Sequence, residues 1–368
     1  MRIGVATHNY PPHPGGLETI VHQLTLGFAK RHEVIVASTA WQGKTGVTNE
    51  DGATVHRLPA WHGAETRGVP YATPFGPGVG QAVAALRSCD VLHAHGSLYP
   101  TTLLALLARR RTTPLFVTEH VGFVPYSSST LNSVQRIAWA TIGSPVAHRC
   151  AKVIAYNSRV RDWLAGRFGE EQVAFIRNGV DTVMFRPRTM GEQRAARSRL
   201  GLPAEAVLGL FVGRAAEKKN LEAVLDFPAR HYQLVVCGAH RTLPPGVLDL
   251  GVVPHAIMPD VLGAADFLLH PAIGEGFPVI VQEAMASGLP VALLWDSGYA
   301  GSVDRESVIA AETLQELAAA ADRLAVSSTL RQTWSATSRT FAVTNWNWDT
   351  TVERHLELFR HAASGAAT

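Results

Sequence analysis

Between two short apolar runs, DFLLH (Asp266–His270) and VALLW (Val291–Trp295), the chain carries GEGFPVIVQEAMASGLPV, from Gly274 to Val291. Each run has the length of a buried strand and is bounded by turn residues, so the stretch predicts strand, loop, helix, strand. Pro278 suits the first helical turn, where its missing N–H costs nothing, and Gly288 with Pro290 behind it suits the stop. The helix is therefore expected to open close to Gly276–Phe277. Gly276 lets a ligand approach the backbone there, and the free N–H groups of a first turn favour an anion such as a diphosphate.

Two carboxylates punctuate this unit, Glu275 in the loop and Glu283 about two turns later. If every residue between them were helical, they would lie about 12 Å apart along the axis. Paired glycosidase carboxylates sit roughly 5–10 Å apart, so two contacts on one long ligand is the better reading. Taken alone, the unit is read more simply as a loop glutamate and a helix-surface glutamate. The rest of the chain has to decide.

A length of 368 residues predicts two domains, each large enough for its own core, and 46% apolar with 17% charged residues is the balance of a soluble globular protein. A net charge of +3 without a concentrated basic face gives no reason to propose a nucleic-acid partner. Only five basic residues are lysines (Lys30, Lys44, Lys152, Lys218 and Lys219), so the adjacent pair stands out. Cys89, Cys150 and Cys237 are odd in number and widely spaced, which argues against a disulfide framework and a zinc site. The N-terminus, MRIGVATHNYPP, has no apolar h-region, and no run reaches the roughly 18 apolar residues of a membrane span. The expected location is the cytoplasm, with peripheral contact at the inner membrane face left open.

Along the chain, RIGVAT reads as a buried strand running into the loop HNYPPHPGG and a helix from near Leu17. Strand, glycine loop, helix is the opening of a doubly wound domain, and EVIVAS (Glu33–Ser38) is its second strand. Gly15 and Gly16 fit either a tight turn or a close approach to a ligand; GGLE is not the dinucleotide fingerprint. DVLHAHG (Asp90–Gly96), PLFVTEHVGF (Pro114–Phe123), AKVIAYNS (Ala151–Ser158) and VAFIRNGVD (Val173–Asp181) follow as strands. His93 and His95 share one face of theirs; a metal pair would need a third ligand, and none is near in sequence. ALLARRR closes a helix with arginines suited to its negative end, or forms a membrane-surface patch. Glu119 and His120 fall at a carboxyl edge, where parallel sheets place functional groups, although a core or surface histidine is the simpler local reading.

TVMFRPRTMGEQR is the linker candidate, with a boundary near Arg186–Arg194. Beyond it VLGLFVGR (Val207–Arg214), LVVCGAH (Leu234–His240), LGVVPH (Leu250–His255) and SVIAAE (Ser307–Glu312) read as strands, and Leu314 to His361 as helical. Trp334, Trp346 and Trp348 in that tail read as packing residues. Two strand–helix domains would set two carboxyl edges opposite each other across a ligand cleft. Arg214 and Lys219 can converge on one anion, one bidentate and one a point charge, and no D-x-D pair stands where Mg²⁺ would call for it.

GGLE, DVLHAHG, VTEH, NGVD with Phe185 and Pro187 behind it, VGR…KKN and above all EGFPVIVQEAMASGLPV resemble the retaining GT-B glycosyltransferases of family 4, the group with bacterial mannosyl- and N-acetylglucosaminyltransferases. The likeness runs from Met1 to about Leu294. It implies two Rossmann-like doubly wound domains facing across a cleft: residues 1–186 for the acceptor, 187–345 for the nucleotide sugar, and 346–368 as a helix crossing back to the first domain. By the same resemblance, Arg214 and Lys219 hold the donor diphosphate, Glu283 binds the ribose, and Glu275 contacts the donor sugar beside the amides of Gly276, Phe277, Pro278 and Val279. Gly15 and Gly16 close over the diphosphate, and His120 sits beside the reacting carbon; Glu18, His95, Tyr126 and Asn178 are weaker candidates on the acceptor side.

The implied activity is metal-independent and cofactor-free transfer from a nucleotide-diphosphate sugar, a UDP-sugar first, to a sugar, lipid-linked or small-molecule acceptor. A catalytically idle sugar-nucleotide-binding subunit and a nucleotide-sugar 2-epimerase are the alternatives. Two departures from the family pattern stand out. Only RTLPPGVLD follows VVCGAH, and DSGYAG follows VALLW in place of Gly-Gly-x-x-Glu, with no role assigned. Acceptor specificity is expected in Pro125–Arg149.

Overall fold

The computed structural model describes residues 1–13, 15–61, 72–120, 122–123, 128–227, 231–239, 241–274 and 277–365. The chain forms two compact units, Met1–Asn178 with Trp348–Thr368, and Gly179–Asn347.

The first unit opens with β1 (Arg2–Ala6), α1 (Gly16–Ala29) and β2 (Glu33–Thr39), then β3 (Gly46–Glu50), β4 (Ala53–Leu58), a small ribbon of β5 (Ala60–Trp61) and β6 (Thr73–Pro74), and α2 (Pro77–Arg87). It continues with β7 (Val91–His95), α3 (Pro100–Ala108), β8 (Leu115–Glu119), α4 (Ser129–Ala138), α5 (Ser144–Arg149), β9 (Lys152–Ala155), α6 (Ser158–Phe168) and β10 (Val173–Phe175). The sheet order is β10-β9-β8-β7-β1-β2-β4-β3, parallel except for the β3 edge. Chain direction along the sheet reverses between β1 and β7, which makes that gap the switch point where open α/β sheets bind ligands.

Alternation within the strands gives each face its own core. Leu92, Ala94, Leu115, Val117 and Val153 pack with Leu104, Val146 and Leu164 from the helices. On the other face His93 and Phe116, neighbours in register, meet Phe28 of α1 and Phe359 of the last helix. α3 ends at Ala108, so the arginine run lies beyond the helix it was expected to close. Arg109 and Arg110 turn back onto Thr113, and Arg110 also donates to the Cys89 carbonyl. The three cysteines are buried free thiols.

The second unit contains α7 (Met190–Arg199), β11 (Leu208–Val212), α8 (Leu221–Leu225), β12 (Gln233–Cys237), β13 (Leu248–Asp249), α9 (Met258–Ala264) and β14 (Phe267–His270). α10 (Val279–Ala286), β15 (Val291–Leu294), β16 (Ile309–Ala311), α11 (Leu314–Val326) and α12 (Ser328–Asn345) complete it, and α13 (Trp348–Gly365) returns to the first unit. Its sheet, β13-β12-β11-β14-β15-β16, is wholly parallel and has the strand order of a dinucleotide fold, with the switch point between β11 and β14.

Three expectations change here. The linker segment carries a helix, because Thr189 and Glu192 form a reciprocal capping box at its start. The strand expected at Leu250–His255 is Leu248–Asp249 instead: Asp249 Oδ1 accepts from the Gly251 amide, Gly251 takes a positive φ, and Pro254 lacks a donor. Pro278 is the cap of α10 rather than part of its first turn, so the helix begins at Val279.

Candidate active site

At the switch point of the second unit, β11 delivers Gly213 and Arg214, and the turn Glu217–Lys219 follows. Asn220 ends that turn in the left-handed region and donates to the Pro271 carbonyl at 3.5 Å. The Ile273 amide donates to the Lys218 carbonyl at 3.1 Å. These bonds fasten the KKN turn to the loop after β14. Lys219 is half-buried, its stem lying over Gly213, and its charge helps burial push His270, at the end of β14, down to about 3. Arg214 is exposed at the same edge. Gly238, at the end of β12, has φ +94°, and a Cβ there would meet the Gly213 carbonyl oxygen at 3.2 Å, so the strand ends close up only with glycine.

The loop into α10 is held from below. Asp296, just after β15, accepts from the Gly274 amide through Oδ2 at 2.9 Å and from the Gly298 amide through Oδ1 at 2.7 Å. Here lies the role of DSGYAG: Asp296 clasps the loop, and Tyr299 packs under it, 5.6 Å from Phe277. The Phe277 ring also meets Trp346 at 5.3 Å, so its side chain is a core anchor and only its amide is left to face a ligand. Trp346 is fully buried and donates to the Ser302 carbonyl at 3.1 Å. Trp346→Ala is expected to cost about 3–5 kcal/mol in chemical unfolding; a loss under about 1 kcal/mol would contradict this anchoring. Glu275 and Gly276 lie outside the described residues. Pro278 and Val279 stand at the opening of α10.

Glu283 is buried in α10, and its Oε1 lies 2.7 Å from Nε2 of His255, in the turn before α9. Burial raises the Glu283 carboxyl above its ordinary range, with His255 pulling it back. The bond to Glu283 raises the His255 imidazole, against desolvation. His255 leans on Phe185 at 5.7 Å, and Arg339 secures the Phe185, Thr182 and Ala286 carbonyls. Sequence reasoning missed both His255 and Asp296. The Asp-x-Gly turn was a usable signal for the latter.

In the first unit Gly15, Gly16, Glu18, His95 and His120 lie beside the β1/β7 switch point. Gly15 caps α1, and a Cβ on it would lie 2.1 Å from Glu18 Oε2, so glycine makes room for a carboxylate of its own helix. Gly16 begins the helix. Glu18 is buried and lies 2.9 Å from His13 Nδ1. His120 follows β8; burial pushes its pKa down to about 4, and Glu18 opposes that shift. His95 lies fully buried behind His120, its Nδ1 3.1 Å from His120 Nε2, and Tyr156 Oη donates to the His120 carbonyl at 2.9 Å. Ring and backbone of His120 are thus both fixed. The Ser97 amide donates to Glu119 at 2.9 Å. Asn178 is buried where the chain leaves this unit, and Tyr126 lies outside the described residues.

His93, 4.4 Å from His95 and 5.4 Å from His355, extends the histidine row to α13. Among the described residues no group of three or more His, Cys, Asp or Glu side chains could hold a metal ion. Also among them, no helix is long and apolar enough to cross a membrane. α4, in the expected acceptor region, buries none of its residues and exposes Leu131, Val134 and Ile137.

Comparisons with known proteins give the family and the fold. The family model described as Glycosyltransferase Family 4 matches residues 14–183, and that described as Glycosyl transferases group 1 matches residues 192–341. A D-inositol 3-phosphate glycosyltransferase 1 from Catenulispora acidiphila is 29% identical over 75% of this chain and 73% of its own. A GDP-mannose-dependent alpha-mannosyltransferase from Mycolicibacterium smegmatis is 28% identical over 79% of each. Among solved structures, a sucrose-phosphate synthase from Thermosynechococcus elongatus superposes with a TM-score of 0.78 at 18% identity, over 99% of both chains. With two Rossmann-like units and both domain matches in sequence, the chain belongs to the GT-B glycosyltransferases and is a glycosyltransferase that uses a nucleotide-sugar donor.

Proposed function

We propose that this enzyme transfers a sugar with retention of anomeric configuration and without a metal, from a nucleoside-diphosphate sugar to an acceptor hydroxyl. UDP-sugars are the first donors to test. GDP-mannose, named for the Mycolicibacterium relative, is the second. The observation that carries the reading is the meeting of Arg214, the clamped Lys219 turn and the opening of α10 at the second unit's switch point, with buried Glu283 about one turn into the helix.

As the anomeric C–O bond breaks, negative charge builds on the leaving diphosphate. Arg214, Lys219 and the α10 amides would stabilise it with cationic groups and fixed dipoles, the task a divalent ion performs elsewhere. The acceptor oxygen bonds to the anomeric carbon on the face the diphosphate leaves, and the acceptor proton passes to a phosphate oxygen of that leaving group. Glu283 would bind the ribose, and Glu275 the donor sugar beside the amides of Gly276, Phe277 and Val279. In the first unit, His120 would sit beside the reacting carbon, neutral because burial disfavours its charge. Gly15 and Gly16 would approach the diphosphate, and Glu18, His95, Tyr126 and Asn178 belong to the acceptor side. The exposed apolar residues of α4 favour a lipid-linked acceptor over a small one.

The test is ligand-induced stabilisation by UDP, GDP, ADP and dTDP with and without EDTA, for wild type and Glu283→Ala. At about 100 times Kd the gain is about 2.7 kcal/mol. One nucleotide should stabilise the protein, survive EDTA and weaken in the variant; turnover should give a glycoside of unchanged anomeric configuration. Stabilisation by none of the four, or an inverted product, would refute the proposal.

A further inference from the structure

Glu283 is 4% exposed, and among the described residues His255 is the one hydrogen-bond partner of its carboxylate. The carboxylate is buried while the His255 side chain keeps 45% of its surface exposed, and holding a buried carboxylate on one half-exposed partner costs more than an apolar side chain in its place would. Stability therefore gives no reason for this pair, whereas ligand recognition does. A carboxylate has two acceptor oxygens and rotates about its terminal bond, so a ligand diol meets a defined acceptor only if the carboxylate is held. Here Oε1 is engaged by His255 Nε2 at 2.7 Å, while the His255 ring is held against Phe185 at 5.7 Å and the Phe185 carbonyl accepts from Arg339 at 2.9 Å.

We infer that His255 is a positioning residue for nucleotide recognition: it locks the Glu283 carboxylate through Oε1 so that Oε2 is left as the acceptor for the ribose diol. The inference rests on the donor-site reading of Glu283. It also assigns a task to Phe185, which fixes the imidazole plane. Burial alone drives the Glu283 carboxyl toward its protonated form, which donates where the diol needs an acceptor, and the His255 cation counters that drift.

The charged groups on the elements packed around the pair have partners elsewhere. Asp260 of α9 is taken by Arg188 and Arg199, Arg186 by Glu192, and Arg339 by backbone carbonyls. The charge influence on His255 comes from Glu283, and that on Glu283 from His255.

The experiment measures equilibrium binding of UDP, GDP, their 2′,3′-dideoxy counterparts and inorganic pyrophosphate, between about pH 5.5 and 8.5. It uses wild type, His255→Gln, His255→Phe and Glu283→Gln. Wild type is expected to prefer the ribonucleotide across the range. His255→Gln keeps a donor without the charge, so its preference should hold at high pH and fall as pH drops and the stranded carboxyl protonates. His255→Phe should lose about tenfold of the preference, the scale of one charge-assisted hydrogen bond. Pyrophosphate affinity should stay at the wild-type level in both, and in the Glu283→Gln background His255→Gln should add nothing. An unchanged preference in both His255 variants overturns the inference and leaves the donor site standing. Equal loss of ribonucleotide and pyrophosphate binding also overturns it, by making His255 a structural support. If wild type itself binds ribo- and dideoxynucleotides equally, the ribose reading of Glu283 fails and takes the inference with it.

Discussion

Lowering the pH from about 7 to about 5 is expected to destabilise the first unit by roughly 4 kcal/mol through His120 and His355 alone. Both are fully buried, and burial pushes each pKa down to about 4, against an ordinary unfolded value of about 6.5. The folded state keeps them neutral while the unfolded chain takes up protons, so stability is untouched above about pH 6.5 and falls as the pH drops toward 4. The slope is about 1.4 kcal/mol per pH unit for each group. His93 and His95, also lowered by burial, act in the same direction. Urea unfolding, with amide exchange of β7 and β8 as the local readout, would measure this at the two pH values. His355→Phe places a ring among Phe28 and Phe359 and should remove one proton from the slope. A wild-type stability that is flat over this range, or a slope unaltered in the variant, would show that these rings are not buried neutral.

Arg214→Ala and Lys219→Ala are each expected to lower kcat by about 10²–10³-fold, the usual effect of removing one preorganised contact to developing charge. Because both would act on one leaving diphosphate, the double variant should lose less than the product of the single losses. Single-turnover rates at saturating donor separate this from weaker binding. A raised KM with kcat preserved would mean that the two cations only hold the ground state, and charge stabilisation would then have to come from the α10 amides.

Most strands were legible because parallel strands buried on both faces become continuous apolar runs: RIGVAT, VLHAH, LFVTE, LGLFV and FLLH all pair as such runs predict. The edge strand β3, GVTNE, is mostly exposed and carries no such signature, and residues 41–89 were assigned no helix or strand. LGVVPH was apolar enough to pass for a strand, yet its glycine and proline withhold the geometry and the donor that pairing needs. That Arg214 and Lys219 follow β11 and that Glu283 lies in α10 was legible, because glycine, proline and charge cluster around strand ends. His255 was not: it meets Glu283 across 28 positions of chain, and no local pattern records a contact made by folding. Asp296 was marked by its own Asp-x-Gly turn, but its bond to the Gly274 amide leaves no mark on the sequence of the loop it holds.

α13 belongs to the first unit although the second unit separates it from the rest of that unit. It covers the β7 and β8 face with His355 and Phe359, fits Val352 against Gly27, and ties Thr351 to the Arg177 carbonyl at 2.9 Å. Synthesis runs from the amino end, and domains usually close as they emerge. Here residues 1–178 leave the ribosome with one face of their sheet covered by α1 but not yet by α13, and they wait for the whole second unit to be made before that face is closed. A nick or frameshift just ahead of Trp348 would keep every residue of the second unit in place while opening the core of the first, so proteolytic surveillance of this chain would read the integrity of its beginning at its far end.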